Sequence, residues 1–185
     1  MADAIPLPNA EVVLAQARAG DVAALEELYR AFETPVYNLA RRICRTSEDA
    51  EDVMQETFFE ICRSIGRFRG AEGGSLTAWI KRIAASKALI KLRAAKYRDA
   101  DSLDDETGDV VADHAQPDVG LQLDLEEALS RLSDTSRAVV WMHDVEGYTH
   151  EEIAELMGKT VSFSKSQLAR AHVRLKKLLG EELKR

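Results

Sequence analysis

Residues 147–175 read GYTHEEIAELMGKTVSFSKSQLARAHVRL, and they describe two short helices joined by a tight turn. Thr149 is placed to cap the first helix, and Glu152, at the third helical position, to reach back to it, the spacing of a capping box. Ile153, Ala154 and Met157 supply that helix's apolar face. Gly158 ends it, because glycine enters the left-handed conformation without a Cβ clash. Thr160 caps the next helix. There Val161, Ser164, Leu168, Ala171, Leu175 and Leu178 recur at steps of three and four, so one stripe faces inward. The opposite face carries Lys165, Ser166, Gln167, Arg170 and Arg174. This is the layout of a helix-turn-helix that sets its second helix in a major groove.

Charge segregation separates that reading from a plain αα-hairpin with a solvated face. Lys159, Lys165, Arg170, Arg174, Lys176 and Lys177 lie between Lys159 and Leu179 with no Asp or Glu among them, whereas the preceding segment carries Asp144, Glu146, Glu151, Glu152 and Glu155. A merely solvated surface mixes the signs.

The same segregation runs through the whole chain. Its net charge is −7, which argues against tight binding to DNA by the chain alone, since phosphate attraction dominates such affinity. Yet from Arg63 to Arg98 the basic residues Arg63, Arg67, Arg69, Lys81, Arg82, Lys87, Lys91, Arg93, Lys96 and Arg98 face only Glu72. From Asp99 to Asp118 the balance reverses, with Asp99, Asp101, Asp104, Asp105, Glu106, Asp109, Asp113 and Asp118 and no cation. Residues 99–120 also hold Gly108, Pro117 and Gly120 and lack helical periodicity, so they are expected to form an acidic flexible linker.

The expected fold is all-α, with two small helical domains on that tether: residues 10–98, the linker 99–120, and residues 121–182. The N-terminal block reads as four helices. Glu11–Ala19 ends at Gly20. A longer helix from Asp21 carries Ala24, Leu25, Leu28, Phe32, Val36, Leu39 and Ile43, and Pro35 is expected to bend or interrupt it. Ser47 is expected to cap a third helix with Ala50, Val53, Met54, Thr57, Phe58 and Ile61 inside. The fourth, 76–98, is expected to bury Leu76, Trp79, Ile80, Ile83, Ala84 and Leu89. In the second block Leu121, Leu125, Ala128, Leu129 and Leu132 form one stripe. Ser133 caps another helix, with Val139, Val140, Met142 and Val145 inward.

No catalytic constellation and no metal site are found. His114, His143, His150 and His172 lack partners at ligand spacing, and Cys44 and Cys62 are expected to be buried free thiols. There is no P-loop, no Rossmann glycine pattern, and no cofactor is expected. No apolar run approaches the ~20 residues of a membrane span. The N-terminus lacks the pattern of a signal peptide, so no membrane insertion and a cytoplasmic location are expected. Two features point instead to partners. Asp49, Asp52 and Glu56 share one helical face, flanked by Glu48, Glu51 and Gln55; such like charges mildly destabilise a helix unless a basic surface meets them. The glycine-rich stretch Gly70–Ser75 lies between basic residues and near Phe68 and Trp79, a composition suited to single-stranded nucleic acid, although Phe58 and Trp79 sit on apolar stripes and read as core.

The stretches YNLARRICRTSEDAEDVMQETFFEICRSIGRF (37–68), SLTAWIKRIAASKALIKLR (75–93) and RLSDTSRAVVWMHDVEGYTHEEIAELMG (131–158) with the helix that follows closely resemble an extracytoplasmic-function sigma factor, group IV of the sigma-70 family. The resemblance covers roughly Glu11 to Leu179. It implies a promoter-specificity subunit that joins core RNA polymerase, through the β and β′ subunits, to promoter DNA, with a cognate anti-sigma factor as a further partner. The face Asp49, Glu51, Asp52, Gln55 and Glu56 matches the segment that docks on polymerase. Arg67, Arg69, Gly70, Glu72, Gly73, Gly74, Ser75, Lys81, Arg82, Lys87, Lys91 and Arg93 match the part that melts and captures the minus-ten element. Ser162, Phe163, Lys165, Ser166, Gln167, Arg170 and Arg174 match the reader of the minus-thirty-five element. The chain departs from the family pattern at Ser86, Ile90, Phe163, Ser164 and Gln167, which bears on promoter sequence rather than on kinship. The alternative is a stand-alone helix-turn-helix regulator whose N-terminal domain senses a ligand or dimerises.

Overall fold

The structure, a computed structural model, describes residues 7, 9–69, 75–99 and 125–182, and among these only helices, turns and loops occur. The chain divides into two compact units, residues 1–94 and 95–185. The expected linker 99–120 lies, beyond Asp99, outside the described residues, as do Leu121 and His114.

In the first unit, α1 (Ala10–Arg18) buries Val13 and Ala17. Asp21 caps α2 (Val22–Ile43) by accepting from the amides of Ala23 and Ala24 at 2.8 and 3.3 Å. The α2 stripe Ala24, Leu28, Phe32, Val36, Leu39, Ala40 and Ile43 is wholly buried and forms the heart of this unit. Pro35 does not interrupt α2: the helix runs through it, with Phe32 and Val36 buried on either side of the lost backbone donor.

Thr46, not Ser47, caps α3 (Ser47–Ser64): the Thr46 hydroxyl accepts from the Asp49 amide at 3.0 Å, and Ser47 is already helical. Both residues suit a cap, and the extended backbone at Thr46 decides between them. Ala50, Val53, Thr57 and Ile61 are buried, and the Thr57 hydroxyl is satisfied by donating to the Val53 carbonyl at 2.7 Å. Phe58 is half-buried, its ring 4.6 Å from that of Tyr29 on α2. Cys44 is buried as expected, but Cys62 is exposed, because it falls on the solvent side of α3 next to buried Ile61. A 3₁₀ turn (Ile65–Arg67) follows, and Phe68 packs on Trp79 with ring centroids 5.0 Å apart.

The last helix of this unit, α4 (Leu76–Asp99), buries Ile80, Ala84, Ala85, Ala88, Leu89 and Leu92. Leu76, Trp79 and Ile83, expected inside, are only half-buried. The buried stripe follows Ile80, Ala84, Ala88 and Leu92 with Ala85 and Leu89 beside it, and Leu76, Trp79 and Ile83 fall on its edges.

In the second unit, α5 (Leu125–Ser130) leads to α6 (Asp134–Val140), capped by Ser133 as expected. Ala128, Leu129 and Leu132 are buried, whereas Leu125, at the open end of its helix, is exposed. A π-helical turn, Trp141–Val145, extends α6. Its wider i→i+5 spacing shifts the register, so Met142 points inward while Val145 turns out to solvent, 54% exposed. Helices α7 (His150–Met157) and α8 (Val161–Glu182) complete the unit and pack on the π turn and α6.

Candidate nucleic-acid interface

The α7–α8 pair has the geometry of a helix-turn-helix. The Thr149 hydroxyl accepts from the Glu152 amide at 3.2 Å and the Glu152 carboxylate from the Thr149 amide at 2.8 Å, closing the capping box. Gly158 ends α7 at φ 63°, and the Thr160 hydroxyl accepts from the Phe163 amide at 3.1 Å to start α8. Along α8, Ser164, Leu168, Ala171 and Leu175 are buried. Ser162, Lys165, Ser166 and Arg170 are exposed on the other side. Phe163 is half-buried, with the Lys159 ammonium 5.7 Å from its ring centre. Gln167 faces the body of the unit: its side-chain oxygen accepts from the Ser136 hydroxyl at 3.0 Å. Arg174 is half-buried too. The cationic surface available to a groove therefore centres on Lys165 and Arg170. Val173 joins it, 71% exposed and one turn beyond Arg170; the sequence reading passed over it because a valine on a helix reads first as core.

A second polar cluster holds α8 in place. Asp144, on the π turn, lies 2.6 Å from His172 Nε2 of α8 and 2.7 Å from His143 Nδ1. The His143 ring stacks on His150 at 4.6 Å, and His150 Nδ1 lies 3.0 Å from the buried Ser164 hydroxyl. Burial pushes the Asp144 carboxyl up, but the hydrogen bonds from His172 and His143 outweigh it and hold the group below the usual carboxylate range. Histidines that spacing alone left unpartnered thus meet across three elements. Among the described residues no group of three or more His, Cys, Asp or Glu side chains is arranged to hold a metal ion.

In the first unit the acidic face of α3 is where spacing put it. Glu51, Asp52, Gln55 and Glu56 are exposed and Asp49 is half-buried. The face is not bare. From α4, Lys91 Nζ lies 2.6 Å from Asp52 and 3.7 Å from Asp49, and Lys87 Nζ lies 3.8 Å from Glu56. The hydrogen bond to Asp52 is the main cause that raises the Lys91 pKa above its ordinary value, partly offset by burial. Phe59 continues the stripe one turn past Glu56, 64% exposed, with the Arg63 guanidinium 5.6 Å over its ring. The 52–56–59–63 spacing was the available signal for it.

The basic group is dispersed more than its sequence suggests. Arg67, Arg69, Ser75 and Arg93 are exposed, and Lys81 and Arg82 are half-buried. The Ser75 hydroxyl caps α4, accepting from the Ala78 amide at 3.1 Å. Gly70, Glu72, Gly73 and Gly74 lie outside the described residues. Phe68 is buried between the Arg18 guanidinium, which donates to its carbonyl, and Trp79, which lies half-buried at the margin of the core. Ser86 is half-buried, and Ile90 is 54% exposed.

Comparison with known proteins agrees with this arrangement. A family model for sigma-70 region 2 matches residues 28–98, and one for sigma-70 region 4 matches residues 122–175. The ECF RNA polymerase sigma factor SigM of Mycobacterium tuberculosis is 36% identical over 172 residues, which covers 93% of this chain and 85% of that protein. The RNA polymerase sigma factor CarQ of Myxococcus xanthus is 32% identical over 165 residues, 89% of this chain and 94% of CarQ. Among solved structures, the sigma factor RpoE of Bartonella quintana, crystallised with the anti-sigma factor NepR, superposes with a TM-score of 0.56 at 25% identity, covering 86% of this chain and 98% of RpoE.

Proposed function

From the premise that this chain belongs to the extracytoplasmic-function sigma factors of the sigma-70 family, we propose a division of labour among its residues. The chain is an RNA polymerase sigma factor that directs promoter-specific transcription initiation, and its partners are core polymerase, promoter DNA and an anti-sigma factor. Sigma factors are generally not enzymes, and the chain acts by binding. We assign its work to the cytoplasm, with polymerase, in a stress or envelope response; no described helix is long and apolar enough to cross a membrane.

The acidic face Asp49, Glu51, Asp52, Gln55 and Glu56 docks on the polymerase. The glycine-rich stretch 70–75 with Arg67, Arg69, Lys81, Arg82 and Arg93 engages the minus-ten element. Ser162, Phe163, Lys165, Ser166 and Arg170 read the minus-thirty-five element. The observation that carries this reading is the pairing, in one chain, of a basic recognition helix with a net negative whole. Such a molecule reads DNA once a larger partner supplies the remaining affinity.

Transcription reconstituted from purified core polymerase and this chain, with start sites mapped on genomic fragments, tests the proposal. Initiation at a shared two-element promoter is expected. No initiation above core polymerase alone, together with specific operator binding by the chain itself, would favour the stand-alone regulator.

A further inference from the structure

The acidic face of α3 is already occupied. Lys91 and Lys87, which the sequence reading groups with the minus-ten contacts, turn toward Asp52, Asp49 and Glu56 across the α3–α4 seam. Lys91 is three-quarters shielded and sits between two carboxylates, while Asp52 remains half exposed to an incoming partner. One set of carboxylates therefore has two claimants, the protein's own lysines and a basic surface on the polymerase. One pair of lysines likewise has two, the carboxylates and DNA phosphates. We propose that Lys91, assisted by Lys87, is an internal competitor for the docking face: it holds the carboxylates when the protein is free, and is handed to the promoter strand when polymerase takes them.

The coupling this creates is reciprocal. Whatever docking gains from DNA, DNA binding gains from docking, because both draw on the same broken ion pair. It also gives the free chain a local reason for weak DNA affinity beyond its net charge, since two cations of the DNA-facing helix are neutralised in place. The pairs are partly exposed, and exposed pairs are worth little, so the coupling is modest. The inference rests on the docking role assigned above to Asp52.

The experiment titrates full-length protein, as wild type, Lys91→Met, Asp52→Asn and the double variant, with core polymerase at fixed salt. Methionine keeps the alkyl stem of lysine and removes only the charge. Lys91→Met should dock about two- to five-fold more tightly than wild type, the range expected for releasing one exposed pair. That gain should shrink in the Asp52→Asn background, where only the longer contact to Asp49 is left to release. With the factor saturating, the salt slope of promoter-strand binding by the Lys91→Met holoenzyme should fall by roughly one. Unchanged or weaker docking by Lys91→Met overturns the inference, and an unchanged salt slope overturns the hand-over to DNA. If Asp52→Asn docks as well as wild type, the docking face itself is misassigned. Should Lys91→Met melt early, Lys87→Met, which relieves only Glu56, must show the same sign with a smaller gain.

Discussion

At the residue scale the charges on opposite ends of the chain make separate demands. Arg170 is exposed on the outer face of α8, where a guanidinium can fork onto a guanine edge. Arg170→Ala should lower transcription from promoters that depend on the minus-thirty-five element, at a cost of about 1–3 kcal/mol, and leave polymerase affinity unchanged in a binding titration. Asp52 makes the opposite demand. Asp52→Lys puts a cation against Lys91 and against a basic partner, so polymerase affinity should fall by more than about tenfold, measured on the same preparation. Asp144 works on a third property. Its carboxyl is held low in the folded state, so its share of stability is present at neutral pH and is lost only as the pH falls below the unfolded value near ~3.9 toward the lower folded one. Thermal melts of wild type and Asp144→Asn should therefore differ at pH 7 and converge as the pH drops below about 4.

Elements come next. The α7–α8 unit was legible because its signals are local: Thr149 and Glu152, Gly158, and Thr160 each act within one turn of where they stand. Gly158→Ala tests this directly. A Cβ there meets no atom within 4 Å, so the cost is the left-handed backbone alone, about 1–2 kcal/mol of stability by denaturant unfolding. Misreadings arose where a decision was not local. Thr46 and Ser47 are equally good caps by type, and only the backbone at Thr46 separates them. Val145 follows an inward pattern under α-helical spacing, and the π turn that rotates it outward has no signature in residue type. The acidic face of α3 was readable from its spacing, but its neutralisation was not. Lys91 and Asp52 stand 39 residues apart, and no periodicity links them. Asp144 meets His172 across 28 residues in the same way.

The whole molecule carries net charge −7, and the two DNA-facing surfaces proposed for it must work against that charge. A duplex repels most of it, and the cations of its first unit are partly spent on its own carboxylates. Long-range attraction to phosphate must therefore come from elsewhere, and polymerase is the source the family membership supplies. The decisive measurement is the affinity of the purified full-length chain for a labelled duplex promoter near ~0.15 M salt, with and without core polymerase. Promoter-specific binding should appear only with polymerase, and the chain alone should show no better than weak nonspecific association, on the order of 10⁻⁴–10⁻⁶ M. Tight, sequence-specific binding by the chain alone at that salt would contradict the account.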